Sequence, residues 1–383
     1  MIENLDYVTL QQLWWLLCSV VGSLFLFLTF VQGGQTLLWQ VAKTETEKDL
    51  VINSLGRKWE LTFTTLVLFG GALFASFPKF YSTSFGGAYW VWMLILFAFI
   101  IQAVSYEFRK KPFNILGRRV YELFLFINGS VGIVLIGAAV GTFFTGSNFE
   151  LSSYNFVTWT HPFRGLEAAL SLSLSSVFNI SLGLFLVFNA RTLGAMYLVN
   201  NIDLSAVPEM EKRLREACWK NFVLSLPFCL YVVVSLLVMK GFGIVDEQGT
   251  IDYVQFKYFK NLLANPWLLG FLLGGLVLVT LGALRTAKTE STVGIWFGGL
   301  GTVLVGLAVL LLPAYNNTAF YPSKFDLQSS LTIYNASSSP YTLKIMTYVA
   351  IGIPFVLAYV IYVWWSMDRT KMKIEDTGDS AAY

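Results

Sequence analysis

Glu60 is the acid that this sequence places where a proton could be taken up from water. It follows Arg57, Lys58 and Trp59 and precedes a nearly uncharged run that ends at Pro78. At 1.5 Å per residue, such a run just crosses a hydrocarbon core. A carboxylate in the first turn of a membrane helix has two readings. It complements the helix dipole and pairs with Arg57 or Lys58, or it lies on a path for protons or ions. Spacing alone leaves the two equally open. Other polar groups in or beside apolar runs are Glu107 with Arg109 in Y-E-F-R-K-K, Glu122 within reach of Arg118 and Arg119, and Glu167. Gln32 and Gln35, three apart at the end of the first apolar run, can hydrogen-bond across helices, to a partner helix included, or line a wet path, but they cannot titrate.

Other chemistry is thinly supplied. The one histidine, His161, sits beside Trp159 and Pro162 in a polar connection. One histidine cannot build bis-histidine haem ligation or a His/Cys zinc site within this chain. Cys18, Cys218 and Cys229 have neither pairing nor metal spacing, and act as small hydrophobes. No Walker motif, GxGxxG turn, HExxH or GxSxG is present. No catalytic and no metal-ligating residue is expected in this chain.

The elements that must position these groups are membrane helices. Of 383 residues, 56% are hydrophobic and 13% charged, against about 25% charged in soluble domains. A net charge of +3, spread along the chain, argues against a nucleic-acid partner. The first apolar run lacks a leader pattern and is expected to be retained. Apolar spans fall at 10–31, 61–78, 88–106, 119–144, 166–189, 220–239, 266–284, 291–313 and 345–366. The fifth is the weakest, diluted by Ser171, Ser173, Ser175, Ser176 and Ser181. Pro227 and Pro354 are the breaks within spans. The expectation is an all-α integral membrane protein of about nine helices forming a single polytopic domain over 1–383. Most Lys and Arg residues lie in alternate connections and the tail, which puts the N-terminus outside and the C-terminus, after 366, in the cytoplasm. Glu60 then faces the cytoplasm. Trp14, Trp15, Trp90, Trp159 and Trp267 mark outer ends, and Trp39, Trp59, Trp219, Trp364 and Trp365 inner ones. Thr44-Glu45-Thr46-Glu47 is a capping box for a short helix to Leu55. Pro208–Ala217 reads as a charged connector helix with i,i+4 pairs, and 314–344 as an ordered polar cap. Gly70-Gly71, Gly274-Gly275 and Gly294/Gly298 suit close helix packing.

The motifs resemble subunit II of the cytochrome bd-type quinol oxidases. The resemblance rests on I-N-S-x(4)-W-E at Ile52–Glu60, G-G-A-L-F-A-x-F-P-x-x-Y at Gly70–Tyr81, and S-Y-E-F-R closing the third span. It also rests on Y-P-S-x(6)-S-L-T-I-Y-N-A-S-S-S from Tyr321 onward and on W-W-L-L at Trp14–Leu17. It implies two four-helix bundles (roughly 10–144 and 166–313) plus one peripheral helix, 345–366. It further implies a haem-bearing subunit I as partner, with haem b and haem d held there and none ligated here. The complex would oxidise quinol and reduce oxygen to water in the bacterial cytoplasmic membrane. A structurally bound quinone and a small single-helix subunit are compatible with it. Glu60 falls on the family's acidic position after Trp59, implicated in proton uptake, which favours the proton reading. Three departures stand out. Gln32-Gly-Gly-Gln35 replaces the usual D-G-x-D, Gln102 stands where arginine is frequent, and Leu61-Thr62-Phe63 lack the usual asparagine. Gln32, Gln35, Trp59, Gln102, Glu107 and Arg109 are therefore candidate supporting or interface residues. The alternative is a secondary transporter, for which internal repeats and a midplane charge are expected; neither is evident here.

Overall fold

A computed structural model describes residues 5–112, 114–170 and 174–378. Ser171 and Ser173 lie outside the described residues. Among those described, eight helices are long and apolar enough to cross a membrane, and nine if the bent pair near the C-terminus is one span. The spans are Tyr7–Thr36, Glu45–Ser76, Tyr89–Phe108, Arg118–Thr145, Ser176–Asn201, Pro208–Val238, Pro266–Lys288 and Gly294–Leu311, then Pro340–Ala350 with Ile353–Asp368.

The apolar runs set these helices, and local chemistry bends them. The first is interrupted at Thr29, whose hydroxyl donates back to the Leu26 carbonyl at 2.6 Å, a bond that bends helices. The second begins with the helix Glu45–Gly56, opened by a complete capping box between Thr44 and Glu47. Its membrane part is Trp59–Ser76. The fourth widens into a π-helical turn at Asn128–Gly132. Pro208–Ala217 is not a separate connector, since one helix runs on to Val238 with Pro227 inside it. The final span bends by 43°, with Pro354 in the first turn of its second half.

The first span packs on the second and eighth, the fifth on the first, fourth and sixth, and the seventh on the eighth. The fifth is the most enclosed, and the first is largely buried too. At the crossing of these two, side chains give way to backbone. A Cβ on Gly33 would lie 2.0 Å from the Ala190 backbone, and one on Gly194 2.3 Å from the Gly34 nitrogen. Gly33→Ala should therefore force the helices apart, a loss of about 1–3 kcal/mol, read as a lower melting temperature of the purified protein. Gly275, Gly294 and Gly298 also sit at close contacts, whereas Gly71 and Gly274 face open space.

The chain is not purely helical. Two short antiparallel hairpins, Phe149–Leu151 with Val157–Trp159 and Gly241–Ile244 with Ile251–Val254, lie at the end that also holds the N-terminal helix start. There Tyr7 donates to the Ser338 carbonyl. Bridges from Ser147 to Ser323 and from Gly243 to Thr318 tie the hairpins to the expected polar cap, which is itself closed by a Tyr321–Leu331 bridge. The C-terminal segment is fixed at the opposite end, where Met372 exchanges backbone bonds with Asn201 and Asp203.

Candidate proton-access site

Four layers of polar residues converge at the end of the bundle opposite the cap. Glu60 lies in the first turn of Trp59–Ser76 and its side chain is exposed. One residue is about 100° of helix, so Trp59 faces inward when Glu60 faces out. Trp59 is nearly buried and stacks on Tyr106 with centroids 5.8 Å apart. The pairing expected of Glu60 with Arg57 or Lys58 is not made. Lys58 turns inward to Asp368 at 3.0 Å, and Arg57 donates to the Met367 carbonyl. Among the described residues no cation lies within ion-pair distance of Glu60. Glu107 is likewise exposed and without an ion pair among them.

The second layer is a buried ion cluster. Arg109, with no exposed surface, reaches Glu122 at 2.9 Å and Asp49 at 2.6 Å. Lys48 also contacts Glu122, at 3.3 Å, and the Trp39 indole donates to it at 2.9 Å. Glu45 joins from Lys48, Arg118 and Arg109, and Lys110 completes Asp49. Glu122 thus pairs with Arg109 and Lys48, not with Arg118 or Arg119. The sequence offers Arg109 as a candidate supporting residue at the close of the third span. Here it is the hub of the cluster, because its arm runs inward from the last turn of the third helix.

The third layer is neutral. Gln32 donates to Gln102 at 3.3 Å, and Gln102 to Gln35 at 3.0 Å. Tyr106 also donates to Gln35, and the Gln35 amide reaches the Leu125 carbonyl at 2.8 Å and Asn128 Oδ1 at 2.7 Å. The π-helical turn brings Asn128 into this reach and lets Gly129 sit against the Gln32 backbone. The three glutamines that depart from the familiar pattern therefore form one buried cluster, bonded to one another within this chain. Together they carry no charge, which removes the desolvation cost of an acid–arginine group.

Arg191 forms the fourth layer, two residues beyond the expected end of the fifth span at 189. The apolar pattern continues past it to Val199, and the helix runs on to Asn201. Its guanidinium donates to Asn221 at 2.6 Å, to Thr36 at 2.8 Å and to Gln40 at 2.9 Å. No acid pairs with it among the described residues.

The chain's own donors do not fit a haem. His161 is partly exposed at the cap, where its Nδ1 accepts from the Phe163 amide and lies 3.5 Å from Glu167. No group of three His, Cys, Asp or Glu residues converges on a metal-sized site among the described residues. Cys18 and Cys218 are buried and unpaired.

A family model described as cytochrome bd terminal oxidase subunit II matches residues 10–367. The chain is 26% identical over 379 residues to cytochrome bd-I ubiquinol oxidase subunit 2 of Escherichia coli (strain K12), covering 95% of each. It is 23% identical over 359 residues to cytochrome bd ubiquinol oxidase subunit 2 of Bacillus subtilis (strain 168), covering 93% of this chain and 95% of the relative. Among solved structures, the bd oxidase from Geobacillus thermodenitrificans matches with a TM-score of 0.65 at 13% identity, over 95% of this chain and 100% of that one. At that identity the likeness speaks to fold alone.

Proposed function

The chain belongs to the family of cytochrome bd terminal oxidase subunit II, and from that premise we propose that it is the non-haem half of a quinol:oxygen oxidoreductase that admits protons at Glu60. It is a multi-pass protein of the bacterial inner membrane and a subunit of a respiratory oxidase. Haem b and haem d reside in the partner, subunit I, against which this chain packs and whose haem site it helps to assemble. The helices form two four-helix bundles with a peripheral ninth helix. The cation-rich end holding Glu60 is cytoplasmic and the hairpin-bearing cap is outside. A structural quinone and a small third subunit fit the same assembly.

One observation carries the proton assignment. Of the acids at that end, Glu45, Asp49 and Glu122 sit in the ion cluster and Asp368 pairs with Lys58. Glu60 and Glu107 make no ion pair among the described residues, and of these two only Glu60 lies in the first turn of a span. Glu60 is exposed on a face that also presents Val67, Leu68 and Phe74, an apolar surface suited to subunit I. A carboxylate that no cation occupies keeps its oxygens free for water and for a partner's groups at the membrane edge. The buried glutamine cluster cannot substitute for it, since amides do not titrate. Gln102, Trp59 and the two first-span glutamines then act as a buried, uncharged backing for the face that Glu60 occupies, with Arg109 and its acids beside them and Glu107 at the rim.

The first test is spectroscopic. Affinity purification through this chain should bring down b and d haem absorbance with the partner, while the chain expressed alone should show none. Stoichiometric haem on the isolated chain, or none in the complex, would overturn the assignment. The transporter reading has no observation in its favour.

A further inference from the structure

At the cation-rich end, the sixth and seventh spans line an open recess of about 420 Å³. Its walls carry Lys212, Arg215 and Lys220 against Glu211 and Glu216 from the sixth span, and Lys288 from the seventh, with Trp219 at its edge. Two of these cations are already committed. Arg215 is clamped to Glu211 at 2.6 Å and to the Thr286 and Thr289 carbonyls, and Lys220 pairs with Glu216 at 3.1 Å. Lys212 and Lys288 have no carboxylate partner among the described residues, and Lys288 lies over the Trp219 ring at 4.8 Å. Two exposed ammonium groups thus flank a cavity of ligand size.

The surface leading away from the recess is apolar on both walls. Val223, Leu226 and Leu230 follow Trp219 at helical spacings of four, seven and eleven, and all are exposed. Leu284, Leu281 and Val277 precede Lys288 at the same spacings and are exposed too. Such spacings keep residues on one face of a helix, so each wall offers a greasy stripe running from the recess into the membrane. An indole at the junction of the charged and apolar parts matches the headgroup level.

We propose that this recess binds the phosphate headgroup of an anionic phospholipid, its acyl chains lying along the two stripes. A free phosphate ion shares the headgroup chemistry but has no use for the stripes. Basic pockets between membrane helices are suited to such headgroups, and each surface cation contributes about a fivefold gain in affinity. The residues of this recess are remote from Glu60 in sequence.

The test uses the intact complex, delipidated and returned to nanodiscs of phosphatidylglycerol or of phosphatidylcholine, with retained lipid counted by native mass spectrometry. The wild-type complex should retain phosphatidylglycerol in preference to phosphatidylcholine. Lys212→Gln with Lys288→Gln should weaken that retention about 25-fold, Lys288→Arg should preserve it, and Lys220→Gln should change it little. Equal retention by the double variant and wild type would overturn the proposal, as would loss in Lys288→Arg. Displacement of the lipid by inorganic phosphate at equal concentration would mark a free-anion site and overturn the lipid assignment.

Discussion

Arg109→Met is expected to be the most damaging substitution to the stability of this protein. It leaves Glu122, 1% exposed, and part of Asp49 without their main counter-charge. Removing one member of a buried ion pair costs about 3–5 kcal/mol, because the survivor stays desolvated and unpaired. That is a large share of the marginal stability of any fold. The complex should therefore be recovered in low yield, with an early melting transition and depleted haem. Replacing both members at once should be milder. Arg109→Met with Glu122→Met is expected to recover much of the loss, and the shortfall from additivity measures their coupling. Arg109→Lys should sit between, since one ammonium cannot span Glu122 and Asp49 as the guanidinium fork does. If Arg109→Met melted like wild type, the cluster would be ornamental.

The second large effect is on turnover. Glu60→Gln is expected to slow oxygen reduction on the order of a hundredfold, the scale on which a positioned acid–base group acts. Haem content and melting temperature should remain near wild type, because Glu60 is exposed in this chain and makes no ion pair among the described residues. Glu60→Asp should keep part of the rate. Gln102→Ala, by contrast, opens the amide cluster and should lower stability more than turnover. A helix-dipole role for Glu60 predicts the reverse for the glutamine variant, with a stability loss of about 0.3–1 kcal/mol and normal turnover per haem.

Much of the helical frame was legible because its signals are local. The apolar runs located the spans, most of them within a few residues, although the fifth helix is shifted to Ser176–Asn201 and the sixth begins at Pro208; the Thr44–Glu47 capping box is present. The polar cap was foreseen from composition. What the sequence hid was pairing between distant segments. Arg109 finds Asp49 and Glu122, sixty and thirteen residues away, and local spacing offered the nearer Arg118 and Arg119 instead. Lys58 finds Asp368 from the far end of the chain, which frees Glu60 from the partner its neighbours suggested. Gln32, Gln35 and Gln102 were each visible as departures from a familiar pattern, but only the fold brings them into contact. Arg191 lies past the expected end of the fifth span at 189, yet the apolar rhythm continues to Val199 and the helix to Asn201. The two hairpins escaped notice since strands of three and four residues are too short for a periodic signal.

Proton uptake by the purified complex tests the central claim most directly. The fully reduced enzyme is mixed with oxygen in weak buffer, and a pH dye records protons taken from solution while haem absorbance records oxidation. Wild type should take up protons in step with oxidation of the haems. In Glu60→Gln, with haem content intact, uptake should lag or vanish and the late oxidation phase should stall. Wild-type uptake and oxidation in that variant would contradict the account, and would place proton access in the partner subunit.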